Sequence, residues 1–97
     1  MEYTTKLEGA TLTVAIDGRL DTVNSNALSD ALSKESGFTD IVFDFANVQY
    51  LSSSGIRLLF SYRKSLGGKD HVIVKNANAV VMEIFRVTGF DKQITLQ

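Results

Sequence analysis

An α/β fold, built as a mixed β-sheet with helices mainly on one face, is predicted by three observations in the sequence. Apolar residues switch repeatedly between a period of two and a period near 3.6, the signatures of strands and helices in turn. Glycine and short polar clusters separate these segments, notably Gly9, Asp21-Thr22, Gly37, Ser52-Ser53-Ser54-Gly55, Gly67-Gly68 and Gly89. Two β-rich segments precede the first helical one, so a hairpin opens a strand–helix alternation. The predicted order is β-β-α-β-α-β-α-β.

Each element has a local reason. Tyr3 to Glu8 and Thr11 to Asp17 are β-rich and are joined across Glu8-Gly9-Ala10 as a hairpin. Leu12, Val14 and Ile16 alternate with Thr11, Thr13 and Ala15, so one face points to a core. Gly18 to Thr22 reads as a connection, with Asp21 or Thr22 able to cap the next helix. Val23, Ala27, Leu28, Ala31 and Leu32 then recur at helical spacing to about Lys34, and Gly37 stops the run. Ile41 to Phe45 is almost continuously apolar, the pattern of a strand covered on both faces. A second helix is predicted over Ser53–Leu66, with Ile56, Leu59, Phe60, Arg63 and Leu66 on one side and Gly67-Gly68 ending it. His71 to Lys75 forms a short strand, and Asn76 to Asn78 lead into a third helix carrying Val81, Ile84, Phe85 and Thr88 at helical spacing. Gly89 closes that helix, and Ile94-Thr95-Leu96 reads as an edge strand.

Composition narrows the function. The apolar fraction of 44% and charged fraction of 22% are ordinary for a soluble globular chain. With no shift of composition and no repeat, residues 1–97 read as a single domain. A net charge of −1 with both signs interspersed gives no basic stripe, so direct nucleic-acid binding is not expected. There is no cysteine, which excludes thiolate chemistry and disulfide scaffolds. No apolar run approaches the ~20 residues that span a bilayer. Met1 to Lys6 lacks the charged-then-apolar pattern of a secretory signal, so a cytoplasmic location is expected.

The most informative stretch is Leu51-Ser52-Ser53-Ser54-Gly55-Ile56, where a strand gives way to a helix. One side-chain oxygen suffices to cap a helix start, so three serines exceed that need. The free N–H groups and positive end of a helix also suit an added phosphate. The cluster is therefore either plain capping or a modification site. Arg57, four residues beyond Ser53, is either a solvated arginine or a partner for a phosphate on Ser53 or for an acidic patch on another protein. Asp44 either faces the rim of the sheet or helps to orient the serine loop.

Four pieces of the chain, in order and over nearly its whole length, carry a resemblance. Asp17-Gly18-Arg19-Leu20-Asp21, Ile41 to Val48, Ser53-Ser54-Gly55-Ile56 and Val87-Thr88-Gly89-Phe90 are similar to the corresponding motifs of the STAS domain (sulfate transporter and anti-sigma factor antagonist). The match is most similar to the stand-alone bacterial anti-sigma factor antagonists. That resemblance implies partner switching: the unmodified protein binds an anti-sigma factor that is also a serine kinase, the kinase phosphorylates it, and the complex parts. A serine phosphatase resets the cycle. The modified residue is expected at Ser53, with Ser52, Ser54, Gly55, Arg57 and Asp21 as partner-binding residues and with no cofactor. One position departs from the family signature, since Ser52 stands where an aspartate is usual.

The alternative within the same fold is an adaptor or scaffold in a transporter or sensory complex, in which Ser53 only caps its helix. An enzyme is not expected. Ser53, His71 and Asp44 could be assembled on paper into a hydrolase triad, but the Gly-x-Ser-x-Gly elbow is missing. Metal-ligand spacing is also lacking, and Gly67-Gly68 is not followed by the Lys-Ser/Thr of a phosphate-cradling loop.

Overall fold

The computed structural model covers residues 1–97, and its elements follow the expected order. β1 (Glu2–Glu8) turns through Gly9 into β2 (Thr11–Leu20), and the two strands pair antiparallel. There follow α1 (Thr22–Leu32), β3 (Asp40–Leu51), α2 (Ser53–Leu66), β4 (Val72–Lys75), α3 (Ala79–Thr88) and β5 (Thr95–Leu96). The sheet order is β1-β2-β3-β4-β5, with β2 to β5 mutually parallel.

This order explains where the core lies. The parallel strands advance across the sheet in one direction, and right-handed crossovers then lay every connecting helix on the same face. Register puts Leu12, Ile41 and Val72 in one row and Val14, Phe43 and Val74 in the next, all of them buried. Leu28, Leu32, Leu58, Leu59, Val81 and Phe85 close over these rows from the helices. Full burial of each such side chain stabilises by about 1.5–3 kcal/mol.

Ile41–Phe45 is consequently covered on one face only. Ile41, Phe43 and Phe45 are buried, whereas Val42 and Asp44 lie half-exposed on the side that no helix crosses. β2 and β3 also run past their expected ends at Asp17 and Phe45. Pairing jumps from Ala15–Asp44 to Asp17–Asn47, and again from Gly18–Val48 to Arg19–Tyr50, so β3 carries an extra residue at each of two bulges. Its buried positions accordingly step by three, from Phe45 to Val48 to Leu51. The Asp44 carboxylate accepts hydrogen bonds from the Ala46 amide and from Asn76 Nδ2, both at 3.1 Å. It therefore holds the first bulge and the end of β4, and makes no hydrogen bond to the serine loop. The Asn76 amide, helped by the Ala46 amide and by Lys75, holds its pKa below the usual carboxylate value against the opposing effect of burial.

The helices show corrections of the same kind. In α1 the buried residues are Ser25, Leu28 and Leu32, while Val23 is 75% exposed and Ala27 is exposed as well. The helix is rotated so that small hydroxyl residues face α2. In α2 the inward residues are Ser54, Gly55, Leu58 and Leu59, and Phe60 turns outward against Phe90 at the rim. α3 buries Val81 and Phe85; Thr88 is exposed and its hydroxyl donates to the Ile84 carbonyl at 2.7 Å. His71 belongs to a short 3-10 turn ahead of β4 rather than to the strand, and its Nδ1 pairs with Asp40. Ile94 is buried but precedes β5.

Candidate functional site

Two helix starts meet at the carboxyl end of the paired strands β2 and β3. Leu20 and Leu51 are partners in the ladder, and each is followed at once by a capping residue. Asp21 caps α1, its carboxylate accepting the Asn24 amide at 2.8 Å. The Asn24 side chain in turn donates to the Arg19 carbonyl at 2.9 Å. Asp21 is thus engaged in its own helix start.

The three serines have three separate environments. Ser52 is the N-cap of α2, with extended backbone; its hydroxyl oxygen accepts the Gly55 amide at 3.3 Å. The same hydroxyl donates to the Leu20 carbonyl at 2.8 Å. Serine therefore does at this position what an aspartate cap would do toward the helix, and adds a donor that aspartate lacks. Ser53 is the first helical residue and is exposed. Ser54 is only 9% exposed; its hydroxyl donates to Thr22 Oγ1 at 3.3 Å and accepts from Arg57 Nη2 at 3.2 Å.

Of the expected partner-binding residues, Ser54 and Gly55 are buried on the inner side of α2. A side chain at Gly55 would meet Leu51 Cδ1 at 2.4 Å and the Leu20 carbonyl oxygen at 3.3 Å. Glycine lets the first turn of α2 pack closely against the ends of β2 and β3, with Ser53 exposed on the outer side. Arg57 is exposed, but in the unmodified chain its guanidinium reaches Ser54 and not Ser53. Sequence reasoning gave no part to Thr22 beyond capping, nor to Arg19 and Tyr50. The Arg19 guanidinium lies 4.6 Å from the Tyr50 ring, a cation–π contact across the bulged end of the β2–β3 ladder. Only knowledge of the bulges brings those two residues opposite each other.

The hydrolase triad is excluded by topology. Ser53 follows the carboxyl end of β3, His71 precedes the amino end of the parallel strand β4, and Asp44 lies on the open face of the sheet. No group of three His, Cys, Asp or Glu side chains stands close enough to hold a metal ion. No helix is long and apolar enough to cross a membrane.

The model of the STAS domain family matches residues 3–97, and the chain belongs to that family. No curated protein matches it in sequence. Among solved structures it is similar to the anti-sigma factor antagonist SpoIIAA in its unphosphorylated form, with a TM-score of 0.80 and 17% identity over 99% of this chain and 88% of that one. An anti-sigma factor antagonist from Mycobacterium paratuberculosis superposes with a TM-score of 0.84 at 23% identity, covering 98% of this chain and 83% of the other. The Bacillus cell fate determinant SpoIIAA in its phosphorylated form gives 0.73 at 17% identity, covering 99% and 91%. At these identities the likeness is one of fold.

Proposed function

We propose that this chain, acting as a single domain in the cytoplasm, is an anti-sigma factor antagonist that binds an anti-sigma serine kinase through Ser53 and the exposed flank of α2. The observation that carries this reading is the division of labour among the serines. Ser52 caps, Ser54 is buried, and Ser53 alone presents an exposed hydroxyl that no hydrogen bond of the fold requires. The antagonist fold of the structural neighbours, one of them described in a phosphorylated form, supports the same role.

The switch follows from electrostatics. The Ser53 oxygen attacks the γ-phosphorus of ATP, the bond to ADP breaks, and the hydroxyl proton passes to a base on the kinase. The product carries about −1.5 to −2 charge at neutral pH. At the first position of α2 that charge meets free amides and the positive helix end, a favourable contribution of about 0.3–1 kcal/mol per charge, so the fold is kept. In an interface the same charge must lose water, which costs several kcal/mol and removes about tenfold in affinity for each 1.4 kcal/mol. A serine phosphatase would restore the hydroxyl by delivering water to phosphorus and releasing inorganic phosphate. The chain itself acts as a binding module and substrate, not as an enzyme.

The test is incubation with the cognate kinase and ATP followed by peptide mapping. Phosphate on Ser53 supports the reading; phosphate elsewhere, or none, rejects it and leaves the adaptor role.

A further inference from the structure

α1 and α2 flank a cleft of about 340 Å³ whose lining includes Ser54 and Arg57, expected above as partner-binding residues, but which otherwise lies outside the partner-switching reading. Of the eight residues that line it, Leu58 alone is apolar, whereas small-molecule pockets are usually walled mainly by hydrophobic side chains. The polar residues form two facing stripes at helical spacing: Thr22, Ser25 and Ser29 from α1, and Ser54, Arg57 and Ser61 from α2. No carboxylate lines the cleft, and its one charged group is the Arg57 guanidinium.

Ser25 sets this groove apart from an ordinary wet seam between helices. It is 1% exposed, and its Oγ has no hydrogen-bond partner in the protein. A buried hydroxyl left unsatisfied is costly, and nearly all such groups in folded proteins are paired. Two of the other serines of the cleft are paired: Ser61 donates to the Leu58 carbonyl at 2.7 Å, and Ser54 donates to Thr22 while accepting from Arg57; Ser29 is exposed. Because Thr22 accepts in that chain, its own hydroxyl hydrogen remains free to donate, as do the remaining N–H groups of Arg57. Both helices contribute residues from their first turns, where the macrodipole favours negative charge.

We infer that the cleft is a binding site for a phosphoryl group, with the Arg57 guanidinium and the free Thr22 hydroxyl hydrogen gathering its oxygens, Ser54 holding those two groups in place, and Ser25 and Ser29 meeting what is attached to it. The volume exceeds that of a bare phosphate, and the walls suit a small hydroxylated remainder. The ligand is therefore either free phosphate or a small phosphate monoester.

Backbone amide shifts in NMR spectra of the whole chain, titrated with inorganic phosphate and separately with glycerol 3-phosphate, test the assignment. Potassium chloride at matched ionic strength is the control. Saturable shifts centred on Thr22, Ser25, Ser54 and Arg57, absent with chloride, are expected. Tighter binding of the ester identifies a phosphorylated small molecule as the ligand class; equal binding identifies the free anion. Arg57→Gln should weaken either ligand by about tenfold or more, the loss of a charge-assisted hydrogen bond. Ser25→Ala should weaken the ester while the far-ultraviolet spectrum stays unchanged. Shifts that do not saturate, that chloride reproduces, or that survive undiminished in Arg57→Gln overturn the inference. Neither kinase nor ATP is present, so that failure would leave the Ser53 reading untouched.

Discussion

Ser52 holds the Leu20 carbonyl twice, its amide donating at 2.9 Å and its hydroxyl at 2.8 Å to the same oxygen. That oxygen belongs to the last residue of β2, one position before the cap of α1. A single carbonyl thus ties the beginning of α2 to the beginning of α1.

Ser52→Ala removes the cap and one of the two bonds to Leu20. It should cost about 1–2 kcal/mol of stability. Ser52→Asp restores the acceptor for Gly55 but not the donor to Leu20, so it should recover only part of that loss. Urea denaturation of the three proteins side by side gives the ranking, and an aspartate variant equal to alanine would contradict the capping role.

At Gly55 an added methyl group would stand 2.4 Å from Leu51 Cδ1, so the buried Leu51 side chain must move to admit it. Gly55→Ala drives a carbon against Leu51 and the Leu20 carbonyl, and overpacking of this kind costs about 1–3 kcal/mol. Kinase binding should fall as well, because the first turn that presents Ser53 is displaced. A variant with wild-type melting temperature and wild-type affinity would show that the close approach is not needed.

Charge at Ser53 should separate binding from folding. Ser53→Asp is expected to lose at least about tenfold in affinity for the anti-sigma kinase, equivalent to 1.4 kcal/mol. Its melting temperature should stay within a few degrees, since a carboxylate at a helix start is favourable by about 0.3–1 kcal/mol. Calorimetric titration and thermal melting of the same sample decide the matter; unchanged affinity counts against the switch.

The α1 face gives a direct check on helix rotation. Val23→Ser, at an exposed position, should change stability by no more than about 0.5 kcal/mol. Leu28→Ala, in the core, should cost about 2–5 kcal/mol. Comparable losses at both positions would mean that α1 is turned as its apolar spacing suggests.

Asp44 predicts a pH dependence with a definite sign. Its pKa is lowered in the folded chain, chiefly by Asn76, so its contribution is fully present above the unfolded value of about 3.9 and is lost as pH falls through the folded value. Asp44→Ala should therefore be less stable than the wild type at neutral pH, by about 1 kcal/mol after allowance for the exposure of the site. The two stability curves should converge below pH of about 4. A gap that persists unchanged into strong acid would assign the effect to something other than the carboxylate.

Helix starts were legible because their signals are local. Asp21, Ser52 and the Asn76-to-Asn78 run announce the three helices, and Asp21, Ser52 and Asn78 prove to be the caps. The bulges in β3 were not legible, since Phe45, Val48 and Leu51 follow no strand period and become intelligible only against the pairing with β2. Helix faces were half-legible. Leu28 and Leu32 point inward as their spacing requires, but Val23 is exposed and Ser25, on the side of α1 that faces α2, is buried instead. Among the serines, sequence placed the cluster at a helix start; only packing distinguished the exposed Ser53 from the enclosed Ser54.

All of β1 is exposed, and no member of the hydrophobic core lies ahead of Leu12. The strand clings to β2 through main-chain bonds and adds little to the interior. Its service is protective: with it gone, the hydrophobic interior would remain whole, but β2 would present a bare row of amides and carbonyls ready to recruit any extended chain nearby. Shortened versions of this protein should accordingly stick to one another before they melt.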